Sequence, residues 1–373
     1  MRFLPFVALL FACRNEQAFI AKEWADLDAD HGKWLSMDVA PDGSPVIAFQ
    51  DVTQGALGFA VGDVKSDGRV RWSYEKVDGY ADENGLDSGN VGAYASMKVA
   101  KDGTIWVAYK GPDTLRVAHR VLGKWTWEMA DAGAGSRPDS GYFASLALDA
   151  DGNPVVAHHD KAKGTLRVAR KVDGAWKSDV VKEGAAYDGT DTAGNAVHRD
   201  ANVGEFCRIA IDGNTEYIAY YDTAQQTLNL LEGFAGAYGE TVIDDNGDVG
   251  QWPALLVDGA NLYVAYQDVG NQDLRLATRE GGGSFRTELV DAADYVGADG
   301  EVYKDGDTLG IVYFDGRNDD MKLARRAGET WTISRLGLEG SAVGFFNETV
   351  TTRGKRYFAS YDYTHKTLFW LPE

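Results

Sequence analysis

One short phrase of residues is written several times along this chain, and nothing else in the sequence constrains its fold as tightly. "GKWLSMDVAPDGSPVIAFQD" occupies 32–51, "GAYASMKVAKDGTIWVAYKG" 92–111 and "GYFASLALDADGNPVVAHHD" 141–160. Each reads as a strand, a turn built on Asp-Gly, and a second strand. The opening glycine recurs as Gly32, Gly92, Gly141, Gly204, Gly250, Gly297 and Gly344. Eighteen or nineteen residues later come Asp51, Gly111, Asp160, Asp222, Asp268, Asp315 and Asp362. A Leu or Met opens the next strand: Leu57, Leu115, Leu166, Leu228, Leu274, Met321 and Leu368. Six copies then carry an aromatic, at Trp72, Trp125, Trp176, Tyr238, Phe285 and Trp331.

Each full copy holds four β runs, here called strands a, b, c and d in chain order. Seven four-stranded antiparallel units in one chain predict an all-β, seven-bladed β-propeller. The 44 glycines fit a fold with this many tight turns. The seventh copy stops after strand c, at "KTLFWLPE". "FIAKEWADLDADHG" near the start aligns with "FRTELVDAADYVG" of copy five, setting Asp26 opposite Asp291. The N-terminal strand is therefore expected to complete blade seven and close the ring, removing its open edge. One domain over 13–373 accounts for the length.

The pattern G-x-aromatic-x-S-x-A/V-x-D-G-x-x-x-V-A-Y-x-D resembles the seven-bladed propeller repeats of exported bacterial proteins. It is distantly similar to sialidases and other glycan-active propellers. The Ser-x-Asp-x-Gly-x-x-Trp turn of sialidase repeats is absent. The opening "MRFLPFVALLFAC" resembles a bacterial lipoprotein signal, with residues 1–12 removed and Cys13 acylated. These resemblances imply a protein of the cell envelope, in the periplasm or on the outer surface, or one simply secreted. The only other cysteine is Cys207, so no disulfide framework supports the fold. A net charge of −20 argues against a nucleic-acid partner. No stretch is long and apolar enough to cross a membrane as a helix, and a monomer is expected.

Strand order says which residues share a face. Strand a begins where the b–c turn and the d-to-a connection lie, so the glycine and its neighbours gather around one channel mouth. Two residues past the glycine stand Trp34, Tyr94, Phe143, Phe206, Trp252 and Phe346, with Asp299 as the exception. These rings either seal blade against blade or stack on a ligand. Four residues past the glycine the copies diverge into Ser36, Ser96, Ser145, Arg208, Ala254, Glu301 and Glu348. Glu301 and Glu348, on neighbouring blades, suit acid–base work or a cation, and Asp38 and Lys98 add charge nearby. His158 and His159 precede Asp160 on one strand, so only one imidazole can face a given site.

Three d-to-a connections exceed what the ring needs, at 78–91, 131–140 and 182–203. Long loops on a rigid scaffold commonly carry binding, which places the expected site over blades one to four and leaves blades five and six as scaffold. Asp82, Asp87, Asp188 and Asp191 in these loops offer oxygen ligands for Ca²⁺, and no other cofactor is expected. The expectation is a binding protein for a glycan, a cell-wall component or an envelope protein. Ligand contacts are expected from Trp34, Tyr94, Phe143, Phe206, Asp160 and His198. The alternatives are a polysaccharide lyase or hydrolase using Glu301, Glu348, Arg208, His158 or His159, and a structural assembly module of the envelope.

Overall fold

The computed structural model describes residues 30–65, 70–79, 89–191, 193–293, 295–337 and 340–373. Its regular structure is entirely β. Blade one pairs its strands in chain order, His31–Val39, Pro45–Asp51, Ala56–Val64 and Val70–Gly79. Five further four-stranded blades repeat this order, and the seventh sheet contributes three strands, Phe345–Thr352, Lys355–Asp362 and Thr367–Pro372. All pairings are antiparallel. The protein is a seven-bladed β-propeller. The expected closing strand, with Asp26, lies outside the described residues, as do the signal segment and Cys13.

The innermost strands are His31–Val39, Ala93–Val99, Ser140–Leu148, Val203–Asp212, Val249–Asp258, Val296–Asp305 and Phe345–Thr352. Each packs on the next, and the last packs on the first, so the ring is continuous at the axis. The second strand of each blade is sandwiched between neighbours, and in blade one every residue of it is buried. That is why these segments read as unbroken apolar runs rather than alternating ones. Seven apolar clusters result, one at each blade interface. The seam between blades seven and one is built from Leu35, Met37 and Phe49 against Val350, Tyr357 and Leu368.

The two strongest sequence anchors meet each other across every interface. A Cβ on Gly204 would lie 2.9 Å from the Cα of Leu166 in the preceding blade, and one on Gly297 would lie 3.1 Å from that of Leu274. Both glycines hold positive φ, 95° and 99°, where an L side chain is strained. The glycine is thus required twice over, by close approach and by backbone conformation.

A candidate binding site at the propeller axis

Just after each anchor glycine the inner strand carries a bulge. In blade one Lys33 pairs with Gln50 but Ser36 with Ala48, so three steps on one strand oppose two on the other. The bulged residue sits in the left-handed region in all seven blades, from Trp34 at 51° to Asp299 at 48°. Because every copy shares it, this strain belongs to the fold and does not mark one blade. Its effect is to turn the side chains inward. The rings form a chain around the mouth: Phe346 to Trp34 at 4.5 Å between centroids, Trp34 to Tyr94 at 4.0 Å, then Phe143 at 4.9 Å, Phe206 at 4.6 Å and Trp252 at 4.4 Å. Asp299 fills the remaining place, so the aromatic collar is open at blade six. The rings pack on one another and also line the axial cavity.

That cavity, about 130 Å³, runs from the collar down the inner strands. Six of the seven residues four past the glycine line it, Ala254 being the exception, and those six fall into two kinds. Ser36 Oγ accepts the Met97 N–H of the next blade at 3.0 Å, Ser96 accepts Leu146 N–H at 2.9 Å, and Ser145 accepts Ile209 N–H at 3.1 Å. The Glu348 carboxylate accepts the equivalent Met37 N–H. Asp38, two residues beyond Ser36, binds Val99 N–H at 2.8 Å. These five residues tie blade to blade. Arg208 cannot accept such a bond, and among the described residues its guanidinium donates only to the Cys207 carbonyl, at 3.2 Å. Among the described residues neither Lys98 nor Arg208 forms an ion pair, and Glu301 makes no side-chain hydrogen bond.

The cavity therefore holds charges facing one another across a lumen without touching. Lys98 exposes its side chain to that lumen while protein surrounds it. Burial works against its charge, yet Asp38, Glu348 and Glu301 outweigh burial and hold the ammonium above its ordinary range. Burial, reinforced by the Glu301 charge, pushes Glu348 up to about 8 despite Lys98 and Arg208. Burial raises Glu301 as well, opposed by the same two cations. Asp299 is pushed up to about 7 by burial, partly offset by a bond from Phe346 N–H.

The remaining candidates lie elsewhere. His158 Nε2 stands 3.2 Å from Asp131 of the preceding blade. That is the partnership Tyr109, Tyr266 and Tyr313 make with Asp78, Asp244 and Asp291 at the same repeat position. His159 Nδ1 meets the Val203 carbonyl at 3.0 Å, as Gln50 and Gln267 meet Val91 and Val296. Burial lowers the His159 pKa. Neither histidine lines the cavity; both are blade-to-blade ties that a sequence cannot show, because their partners lie in other blades.

Asp160 is fully buried, with no hydrogen bond to its carboxylate among the described residues. Its counterparts Asp51, Asp222, Asp268, Asp315 and Asp362 accept backbone N–H groups of their own turns.

The 182–203 connection forms a hairpin, Tyr187–Thr190 with Ala196–Arg199, docked by Arg199 Nε on the Ala224 carbonyl at 2.6 Å. Asp191 closes its turn by accepting from Ala193, Asn195 N–H and Asn195 Nδ2. Asp188 holds exposed His198 at 2.7 Å, and with Asp200 it raises the imidazole pKa. Asp82 and Asp87 lie outside the described residues. Among the described residues no group of three or more His, Cys, Asp or Glu is arranged to hold a metal. None of the three long connections lines the axial cavity among the described residues, whereas blade six supplies Asp299 and Glu301.

No family model matches the chain, and no curated protein matches it in sequence. Solved structures with similar folds include polysaccharide lyase Uly1, at 10% identity and TM-score 0.52, covering 90% of this chain and 88% of that one. A mutant of AofleA from Arthrobotrys oligospora matches at 12% identity and TM-score 0.51, covering 83% and 90%. Hadza microbial sialidase Hz136 matches at 14% identity and TM-score 0.50 over 76% of this chain, which spans 63% of that longer protein. At these identities the likeness is one of fold.

Proposed function

We propose that this propeller binds a glycan at the mouth where the inner strands begin, working in the cell envelope as a protein anchored by lipid on Cys13. The observation that carries the reading is the aromatic collar closing around an open, charged cavity on the axis. Rings give a sugar apolar faces to lie against, and a few polar groups beneath them fix orientation. Two propellers of similar fold are named for acting on glycans, a sialidase and a polysaccharide lyase, which fits the reading without carrying it. A glycan array probed with wild type and Phe206→Ala tests it. Binding that falls at least tenfold in the variant, with melting unchanged, supports the collar; equal binding by both overturns it. Replacing Cys13 by Ser should move the protein from the membrane fraction to the soluble one.

A second reading, an enzyme on polysaccharides, is favoured by one observation: Glu301, Glu348, Arg208 and Lys98 converge on a single cavity. Two carboxylates on one cavity could serve as acid and base. Release of reducing ends or unsaturated products from a polysaccharide, lost in Glu301→Gln, would establish it. Binding without release leaves the first reading.

A further inference from the structure

The charges on the axis are not distributed evenly, and their arrangement names a ligand chemistry. Lys98 and Arg208 enter from blades two and four, whereas Glu301 and Glu348 enter from blades six and seven on the opposite side of the ring. Between the two cations blade three presents Ser145, whose hydroxyl is committed to Ile209 N–H. One wall is thus cationic and the other acidic.

A structural role does not account for this. The serines show what the position needs for stability: a small acceptor for the N–H of the next blade. Arg208 and Glu301 give up that tie, as Ala254 does, but put a charge in its place, and Lys98 adds a charge exposed to the lumen with no ion-pair partner among the described residues. Charges that line one lumen without close partners are placed to meet a ligand of opposite charge.

We propose that the axial cavity accepts a zwitterionic α-amino-acid group, its carboxylate toward Lys98 and Arg208 and its ammonium toward Glu301 and Glu348. The inference deepens the reading of the collar as a ligand entrance and rests on it. A simple anion would face the glutamate wall and a simple cation would face Lys98 and Arg208, whereas a bound ammonium would draw off the proton that burial holds on Glu348. Only a group with both charges meets an opposite charge on each side. Size agrees: an enclosed space of about 150 Å³ holds a benzene, so this cavity has room for about six heavy atoms, the size of alanine. A whole sugar ring does not fit beneath the collar, whereas a charged substituent on one does. The α-substituent would point up through the rings, so the group could come as a free amino acid or tethered by its side chain to a larger envelope molecule.

Calorimetric titration of the full protein tests this, with alanine as the probe. Alanine methyl ester lacks the carboxylate, N-acetylalanine lacks the ammonium, and Nε-acetyllysine mimics a side-chain tether. Saturable binding of alanine, at least tenfold weaker for the ester and for N-acetylalanine, is expected. Lys98→Met should lose alanine binding while melting normally, and Glu348→Gln should weaken it while keeping an acceptor for Met37 N–H. Binding of Nε-acetyllysine equal to alanine identifies a tethered source; its exclusion identifies the free amino acid. No binding of alanine, or equal binding of its ester, overturns the proposal. If glycans bind and alanine does not, only this inference fails. If alanine binds and no glycan does, the glycan reading fails instead.

Discussion

Charged residues at the rim of this propeller and charged residues at its axis obey different rules. At the rim, Glu75 of blade one pairs with Arg120 of blade two at 2.5 Å and accepts Trp125 Nε1 at 2.9 Å. Glu128 does the same with Lys171 and Trp176, and Glu288 with Arg326 and Trp331. The device repeats at three interfaces, and each of these charges has its partner in the neighbouring blade. At the axis, Lys98, Arg208 and Glu301 occur once each and form no ion pair among the described residues. The repeated, paired charges meet a requirement of the fold; the single, unpaired ones are those proposed above to meet a ligand.

Breaking a paired charge should cost most. Arg170 reaches across to Glu216, which is only 3% exposed, at 2.5 Å. Arg170→Ala would strand that carboxylate and should cost about 3 kcal/mol in urea unfolding, with Tyr238 supplying the only remaining bond to it. The axis should respond in the opposite direction. Folded Glu348 titrates near 8 against an ordinary value of 4.5, so the native state keeps a proton that the unfolded chain releases. The stabilising contribution of this one group is therefore fully present below about pH 4.5 and is lost as pH rises from about 4.5 to about 8. Glu348→Gln escapes that loss, and at pH 8 it should exceed wild type by up to about 4 kcal/mol, with the gap narrowing toward pH 5.

Smaller effects sharpen the contrast. His158 stands where other blades carry tyrosine, so His158→Tyr should change stability by less than about 1 kcal/mol, measured by thermal melting. Cutting the hairpin at 187–199 down to a short link should be smaller still, within about 0.5 kcal/mol, and should leave axial binding unchanged. Lost binding on that deletion would return the site to the long loops.

Most of the architecture could be read from the sequence because a propeller writes its contacts at fixed offsets. Gly204 and Leu166 recur as anchors since they touch at an interface that every blade must make. The collar was legible for the same reason, and Asp299 showed itself as its one departure. Arg208, Glu301 and Glu348 stood out by breaking the run of serines. What sequence could not show was why the serines were there: Ser145 serves an N–H 64 residues away in the next blade. The long loops drew attention by length alone, yet length does not say which way a loop leans. The hairpin at 187–199 docks on the b–c turn of blade four, off the axis.

The central claim is that the axial charges serve a ligand while the propeller stands without them. Levelling the axis tests it directly, by introducing Arg208→Ser, Glu301→Ser and Glu348→Ser together so that those blades present the serine of blades one to three. Melting and alanine titration would be measured on this one protein. The account predicts a midpoint at or above that of wild type and no detectable alanine binding. A levelled protein that melts well below wild type, or that binds alanine as wild type does, would contradict it.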